Sequence, residues 1–381
     1  DFEAFYRTGM QDRSLLAGPY ADDGWGWCAP GSRHRHWFVA FACQSLWHTI
    51  LAGVDALSQA YLLTADAACA HRALVLLDRI AEVYPQMDYG QQGMYGHEFS
   101  PGYTGKILDQ IAETGTASRL CRAVDAVRDA LPQDPACGAS AAAVRAKLDA
   151  GIVQASLDGV YRGLIRGNYG MHQETLLTAA LVRGDRQQLE RAVAWVVDNT
   201  GEATPHKEMH TAFDDYIFRD KAAHAEGLRY ALDNLLFREG LGWESSPSYN
   251  SGWIAHLASV AALLEPLGVR LWDHPRLRRM FRWPTEVTCL DRFTPAIGDG
   301  GGPLGGHVQI GAASLRAAYR ATGDPFVGQL LRQRSPGFDS FWSLFEELPE
   351  PPADRAAAAQ IRQLQNATRL LGGYGLALLR A

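Results

Sequence analysis

The chain has 381 residues, 47% hydrophobic, 10% aromatic and 20% charged, a composition that can bury a large core and excludes a disordered or fibrous protein. Thirty-six basic residues against 42 acidic ones leave a formal charge of −6, with no long run of like charge, so neither nucleic acid nor a membrane surface is an expected partner. An anionic partner has to be met by a local basic patch, and because only Lys106, Lys147, Lys207 and Lys221 are lysine, that patch is built from arginine, a planar binder of carboxylates.

The chain opens on Asp1 with no basic-then-apolar leader, as in a processed chain, and a secreted or periplasmic bacterial protein is expected. No stretch approaches about 18 uninterrupted apolar residues, so no membrane span is expected. Within the long connection from Gly18 to His36, the basic residues Arg33, His34, Arg35 and His36 lie close to Trp25, Trp27 and Trp37. Such cations meet carboxylates or sulfates, and indoles stack on sugar rings, while Trp37 can equally open the core of the first helix. From Trp37 to Tyr84 apolar residues recur every three to five positions, the pattern of amphipathic helices, with Thr64 and Asp66 as N-cap candidates at the break. Helical periodicity returns at 105–131, 172–183, 186–198, 222–237, 251–266, 308–321 and 325–333, with Gly-Asp junctions at 184–185 and 323–324.

Strand patterns are nearly absent before residue 366, so the body is expected to be all-α. Successive helical hairpins without a fixed repeat of 34 to 47 residues favour a ring, an (α/α) toroid, over a solenoid. The toroid is expected over 1–349, with 350–381 as a linker and the first strand or strands of a largely absent β-sandwich. Long connections at Gly18–His36, Tyr89–Tyr103, Gly240–Gly252 and Pro295–His307 are where function is expected. The six cysteines are scattered, with no Cys-x-x-Cys pair, and are expected as buried free thiols.

Three segments carry candidate chemistry. In Arg166-Gly-Asn-Tyr-Gly-Met-His-Gln-Glu174, Asn168 lies at or near a helix start, where its amide can donate to a carboxylate; the alternative is a simple N-cap with His172 and Gln173 as satisfied polar residues of the first turn. In Gly240-Leu-Gly-Trp-Glu-Ser-Ser-Pro-Ser-Tyr-Asn250, Tyr249 at a loop end offers a phenol for proton transfer, or is an amphipathic rim residue. The glycine-rich segment around Asp299 lacks the Lys-Ser/Thr of a phosphate loop and follows no strand, so nucleotide binding is not expected. His206, His210, Asp214 and Asp215 form a polar cluster without a zinc-binding motif; neither a metal nor a cofactor is expected.

Three pieces, in order and spacing, resemble the heparinase II/III and alginate lyase superfamily of polysaccharide lyases: Gly167-Asn-Tyr-Gly170, Glu244-Ser-Ser-Pro-Ser-Tyr249 and Ile297-Gly-Asp299. The stretch from Ala60 to Pro85 is similar to the family's first helical hairpin. The resemblance implies an α/α toroid followed by an antiparallel β-sandwich, an acidic polysaccharide as substrate, and β-elimination at a uronic acid. It implies that Asn168, helped by His172 or Gln173, neutralises the substrate carboxylate, and that Tyr249 protonates the leaving oxygen. Arg166, Glu244, Asp299, Trp25, Trp27, Arg33, Arg35 and His36 are the expected substrate contacts. Several members of the family have His directly after the Asn, where this chain has Tyr169. The alternatives are an inverting glycoside hydrolase, which needs two carboxylates facing across a cleft, and a non-catalytic glycan-binding toroid.

Overall fold

A computed structural model gives the fold, and it describes residues 2–8, 11–16, 18–22, 26–32, 35–36, 38–89, 104–199, 227–244, 246–290, 292–298, 308–334, 341–345 and 350–380. Trp25, Arg33, His34, Trp37, His206, His210, Asp214, Asp215 and Asp299 lie outside these residues, as does the side chain of Arg35. The protein is mostly helical, with two short antiparallel hairpins among the described residues. It divides into two compact units that alternate along the chain: the first holds residues up to Gly167 and 178–186, the second 168–177, 187–199 and the described residues from 227 onward.

The first unit begins with α1 (Phe2–Arg7) and the hairpin β1 (Trp27–Cys28) with β2 (Arg35–His36), followed by α2 (Phe38–Thr64) and α3 (Ala67–Val83). The turn between α2 and α3 is set by Ala65 in a left-handed conformation and by Asp66, whose carboxylate accepts from Ala68 N at 2.9 Å. That bond satisfies a helix-start donor that would otherwise be orphaned. Asp109 does the same for α4 (Gln110–Val127), accepting from Ile111 N and Ala112 N. Along α3, Ala70, Ala73, Leu74, Leu77, Ile80 and Ala81 are buried at the three- and four-residue spacing of one helix face. Both α2 and α4 pack on α3 and on each other.

Periodicity predicts no element over 132–165. There the chain forms α5 (Ala141–Leu148), a π-helical turn at 149–154 and α6 (Ala155–Tyr161). Gly151 is the reason the stretch can pack: a Cβ there would sit 2.1 Å from the Ala81 carbonyl oxygen. The glycines that permit this close approach also interrupt the apolar periodicity that announces a helix.

At the centre of this unit lies a closed polar network. Glu113, fully buried, accepts from the Tyr84 hydroxyl at 2.7 Å and from Leu108 N at 2.7 Å. Burial raises the Glu113 carboxyl to about 7, against the opposing pull of these hydrogen bonds. Burial likewise drives the Tyr84 phenol well above its usual range. Lys106 donates to the carbonyls of Tyr84 and Pro85, both at 3.2 Å.

The second unit holds residues 171–177 of α7 (Met171–Arg183), then residues 187–198 of α8 (Arg186–Asp198), α9 (Leu228–Asn234), α10 (Pro247–Leu264), α11 (Pro275–Met280), α12 (Trp283–Val287), α13 (Ala312–Thr322), α14 (Pro325–Arg332) and α15 (Arg355–Asn366). The expected Gly-Asp junction works here as a paired device. Gly323 ends α13 at φ +63°, and the Asp324 carboxylate accepts from Phe326 N at 2.9 Å to start α14. Helix α13 packs on α14 and α10, and α15 packs on α12 and α14.

The segment from 350 belongs to this second unit. Its helix α15 replaces part of the expected linker, capped by Asp354 accepting from Ala357 N at 2.8 Å. The strand expected in the tail is a hairpin of β3 (Arg369–Leu371) and β4 (Leu376–Leu378), with Arg369 opposite Leu378 and Leu371 opposite Leu376. Arg380 fastens it: one guanidinium donates to the carbonyls of Leu364, Ala367, Glu286 and Thr288, at 2.7 to 3.0 Å. All six cysteines are free, as expected, but only Cys121 is buried; Cys43 is exposed and the other four are half-buried.

Candidate functional site

The site is built on one face of α10. Its start corrects the expectation that Tyr249 lies on a loop: Ser246 caps the helix, its hydroxyl accepting from Tyr249 N at 3.3 Å, and Pro247 occupies the first turn. Serine followed by proline is a helix-start signal, because the hydroxyl satisfies an orphan N–H and proline lacks one. Tyr249 therefore stands in the first turn of a rigid element and is 42% exposed. Tyr249, Trp253 and His256 are spaced i, i+4 and i+7, which places them on the same face.

The loop before the helix is held by buried hydrogen bonds. Asn250, fully buried, accepts from Gly242 N and donates to the carbonyls of Ser246 and Glu244. Glu244 accepts from the Trp253 indole N–H at 2.9 Å, so the carboxylate expected as a substrate contact also fixes a ring of the site. The glycines are dictated by close approach: a Cβ on Gly242 would lie 2.5 Å from the Trp253 ring, and one on Gly240 would lie 2.7 Å from the Arg279 backbone.

The turn 168–170 lies against this same helix face. The Tyr169 ring packs on Trp253 with centroids 5.1 Å apart. Gly170, at φ +96°, passes over His256, where a Cβ would be 2.7 Å from the His256 Cβ. Asn168 itself is half-buried, its carbonyl accepts from Met171 N at 3.0 Å, and its side-chain amide makes no hydrogen bond to the described residues.

The two helpers proposed for Asn168 are placed differently from that expectation. Gln173 is fully buried and accepts from Gly170 N at 2.9 Å, reaching back over the helix start as in a capping box. His172 is also buried, edge-on to Trp195 at 6.2 Å between centroids. Both are buried in the first turn of α7.

Two residues that the sequence reading passed over join the face instead. His256 Nδ1 pairs with Glu174 Oε2 at 2.9 Å, and Ser259 donates to Glu174 Oε1 at 2.8 Å. A carboxylate held on both oxygens fixes the ring orientation of the imidazole and leaves Nε2, which has no hydrogen bond among the described residues, for proton transfer. The signal available in the sequence was the seven-residue step from Tyr249 to His256; Glu174, 82 positions away, gave none.

Beside the helix start, Trp243 is exposed and stacks on Phe237 at 5.9 Å. Tyr374 from the hairpin turn stands edge-on to Phe237, its phenol pushed up to about 12 by burial, so it stays protonated near neutrality.

The remaining expected contacts belong to the first unit. Arg166 is half-buried, and its backbone N–H donates to the Gln110 carbonyl at 3.0 Å. Trp27 and His36 face each other across β1 and β2 with rings 5.6 Å apart, joined by Tyr20 and Phe38 in an aromatic cluster. Arg35 pairs with Cys28 in the same hairpin. Among the described residues no group of three or more His, Cys, Asp and Glu is arranged to hold a metal ion, and no helix is long and apolar enough to cross a membrane. Compared with known proteins, the chain matches no family model, and no curated protein is significantly similar to it.

Proposed function

We propose that the chain is a polysaccharide lyase of the heparinase II/III and alginate lyase kind, cleaving a uronic-acid-containing anionic polysaccharide by β-elimination on a toroidal helical frame outside the cytoplasm. The observation that carries this reading is the seating of the Asn168–Gly170 turn on the α10 face that bears Tyr249 and His256. It groups an amide donor, a half-exposed phenol and a carboxylate-held imidazole.

Those groups answer the demands of the reaction. The C5 proton of a uronate is weakly acidic, because its removal builds a second negative charge next to the carboxylate. A neutral amide aimed at that carboxylate, the role assigned to Asn168, stabilises the charge where it develops and lowers the barrier by several kcal/mol. His256 Nε2 takes the C5 proton, its Nδ1 side being held by Glu174. The electron pair forms the C4–C5 double bond, the C4–O bond breaks, and the Tyr249 hydroxyl protonates the departing oxygen. The scheme calls on no cofactor.

The test is ultraviolet absorbance of the conjugated uronate product, with alginate, heparan sulfate, hyaluronan and chondroitin offered to the native chain and to Tyr249→Phe. Rising absorbance lost in the variant supports elimination. A flat trace with new reducing ends overturns it in favour of hydrolysis, and binding of these polymers without turnover overturns it in favour of a glycan-binding scaffold.

A further inference from the structure

Several arginines of the second unit are engaged by carboxylates or by backbone carbonyls. Arg279 pairs with Glu286, Arg282 with Asp324 and Arg332 with Glu350, while Arg276 and Arg380 are spent on carbonyls. Arg334, just beyond α14, is half-buried, and among the described residues its side chain has only the Gln309 amide oxygen as partner. Burial lowers the guanidinium from its usual range, with no carboxylate among the described residues to pull it back; it stays charged nonetheless. A desolvated cation without a counter-charge is an unfavourable element to retain.

Arg334 lines a cavity of about 170 Å³, between α12, the segment 308–310, α14 and α15. The rest of the wall is neutral, mixing the polar Thr285, Gln309, Gln333 and Gln365 with the apolar Val308, Ile310 and Leu330. Thr285 is 7% exposed, and its hydroxyl has no hydrogen-bond partner among the described residues. A hydroxyl without a hydrogen bond at the wall of a cavity is open to an occupant.

We propose that this cavity is a binding site for a small hydroxylated monocarboxylate, with Arg334 forking onto the carboxylate and Thr285, Gln333 and Gln365 taking the hydroxyls. One guanidinium balances one negative charge, whereas a phosphate dianion would leave a net charge in a partly desolvated space. A cavity of about 170 Å³ has room for a small molecule. None of these residues belongs to the Asn168, Tyr249 and His256 set, and the proposal does not rest on the lyase reading.

The test is calorimetric titration of the full chain with D-gluconate, with sorbitol as the neutral counterpart of the same skeleton and inorganic phosphate as the competing anion. The expected result is one gluconate site per chain, silence with sorbitol, weaker binding of phosphate, at least a tenfold loss of gluconate affinity in Arg334→Gln and a several-fold loss in Thr285→Val. Should Arg334→Gln fail to fold by circular dichroism, Thr285→Val carries the decision. Absence of gluconate binding, equal binding of sorbitol, tighter binding of phosphate, or affinity kept in the Arg334 and Thr285 variants but lost in Asn168→Ala would each overturn the assignment.

Discussion

Two polar clusters, one in each unit, use the same kinds of side chain to opposite ends. Around Glu113 the carboxylate, the Tyr84 phenol and the Leu108 amide are buried and consume one another's hydrogen bonds. Around α10 the phenol of Tyr249 is half-exposed and makes no hydrogen bond to the described residues, and only one nitrogen of His256 is engaged. A closed network rigidifies a core because every lone pair and proton is already spent. An open one, oriented from behind by Glu174 and Ser259, keeps reactive atoms available. Removing a tyrosine hydroxyl should therefore cost fold in the first unit and chemistry in the second.

The sharpest break of that contrast is Tyr249→Phe. Elimination should fall by about a thousandfold, within the range for loss of a proton-transfer group, while the melting temperature stays put. Next is Glu113→Ala, which strands the Tyr84 hydroxyl and Leu108 N without an acceptor; a loss of about 3 kcal/mol is expected in denaturant unfolding, while Tyr249 keeps its place and environment. Gly170→Ala probes the packing between turn and helix. At φ +96°, with its new methyl 2.7 Å from the His256 Cβ, the variant should lose about 2 kcal/mol of stability and most of its turnover.

The pH dependence follows from the same comparison. A Glu113 carboxyl that titrates at about 7 in the fold, above the usual 4.5, binds its proton more tightly folded than unfolded. Its contribution is complete below about pH 4.5 and is lost as pH rises through 7. Between pH 5 and 8 the native chain should lose about 2 kcal/mol that Glu113→Gln does not, as seen in unfolding midpoints across the two buffers. The smallest effect is Ser246→Ala, where loss of the cap should cost about 1 kcal/mol.

Much of the helical frame was legible because it follows local rules. Asp66 as a cap and the Gly323-Asp324 junction are short-range signals, and α3 declares its buried face by spacing alone. The stretch 141–161 was not legible, since Gly151 answers to a carbonyl of α3 rather than to its own neighbours. Within the site, Asn168 and Tyr249 stand out by their motifs, but the roles of Gln173 and His172 depend on which way the first turn of α7 faces, and that is decided by packing. The partnership of Glu174 with His256 exists only once residues 82 positions apart have been brought together.

Arg380 offers a different use of the fold. Its guanidinium is occupied by four carbonyls drawn from the ends of α12 and α15, so its reactivity toward an arginine-selective dicarbonyl reagent is masked as long as those ends stay together. Mass-spectrometric footprinting at this one residue would then serve as a clock for local opening of the second unit, readable in mixtures and at concentrations where spectroscopy of the whole chain is blind.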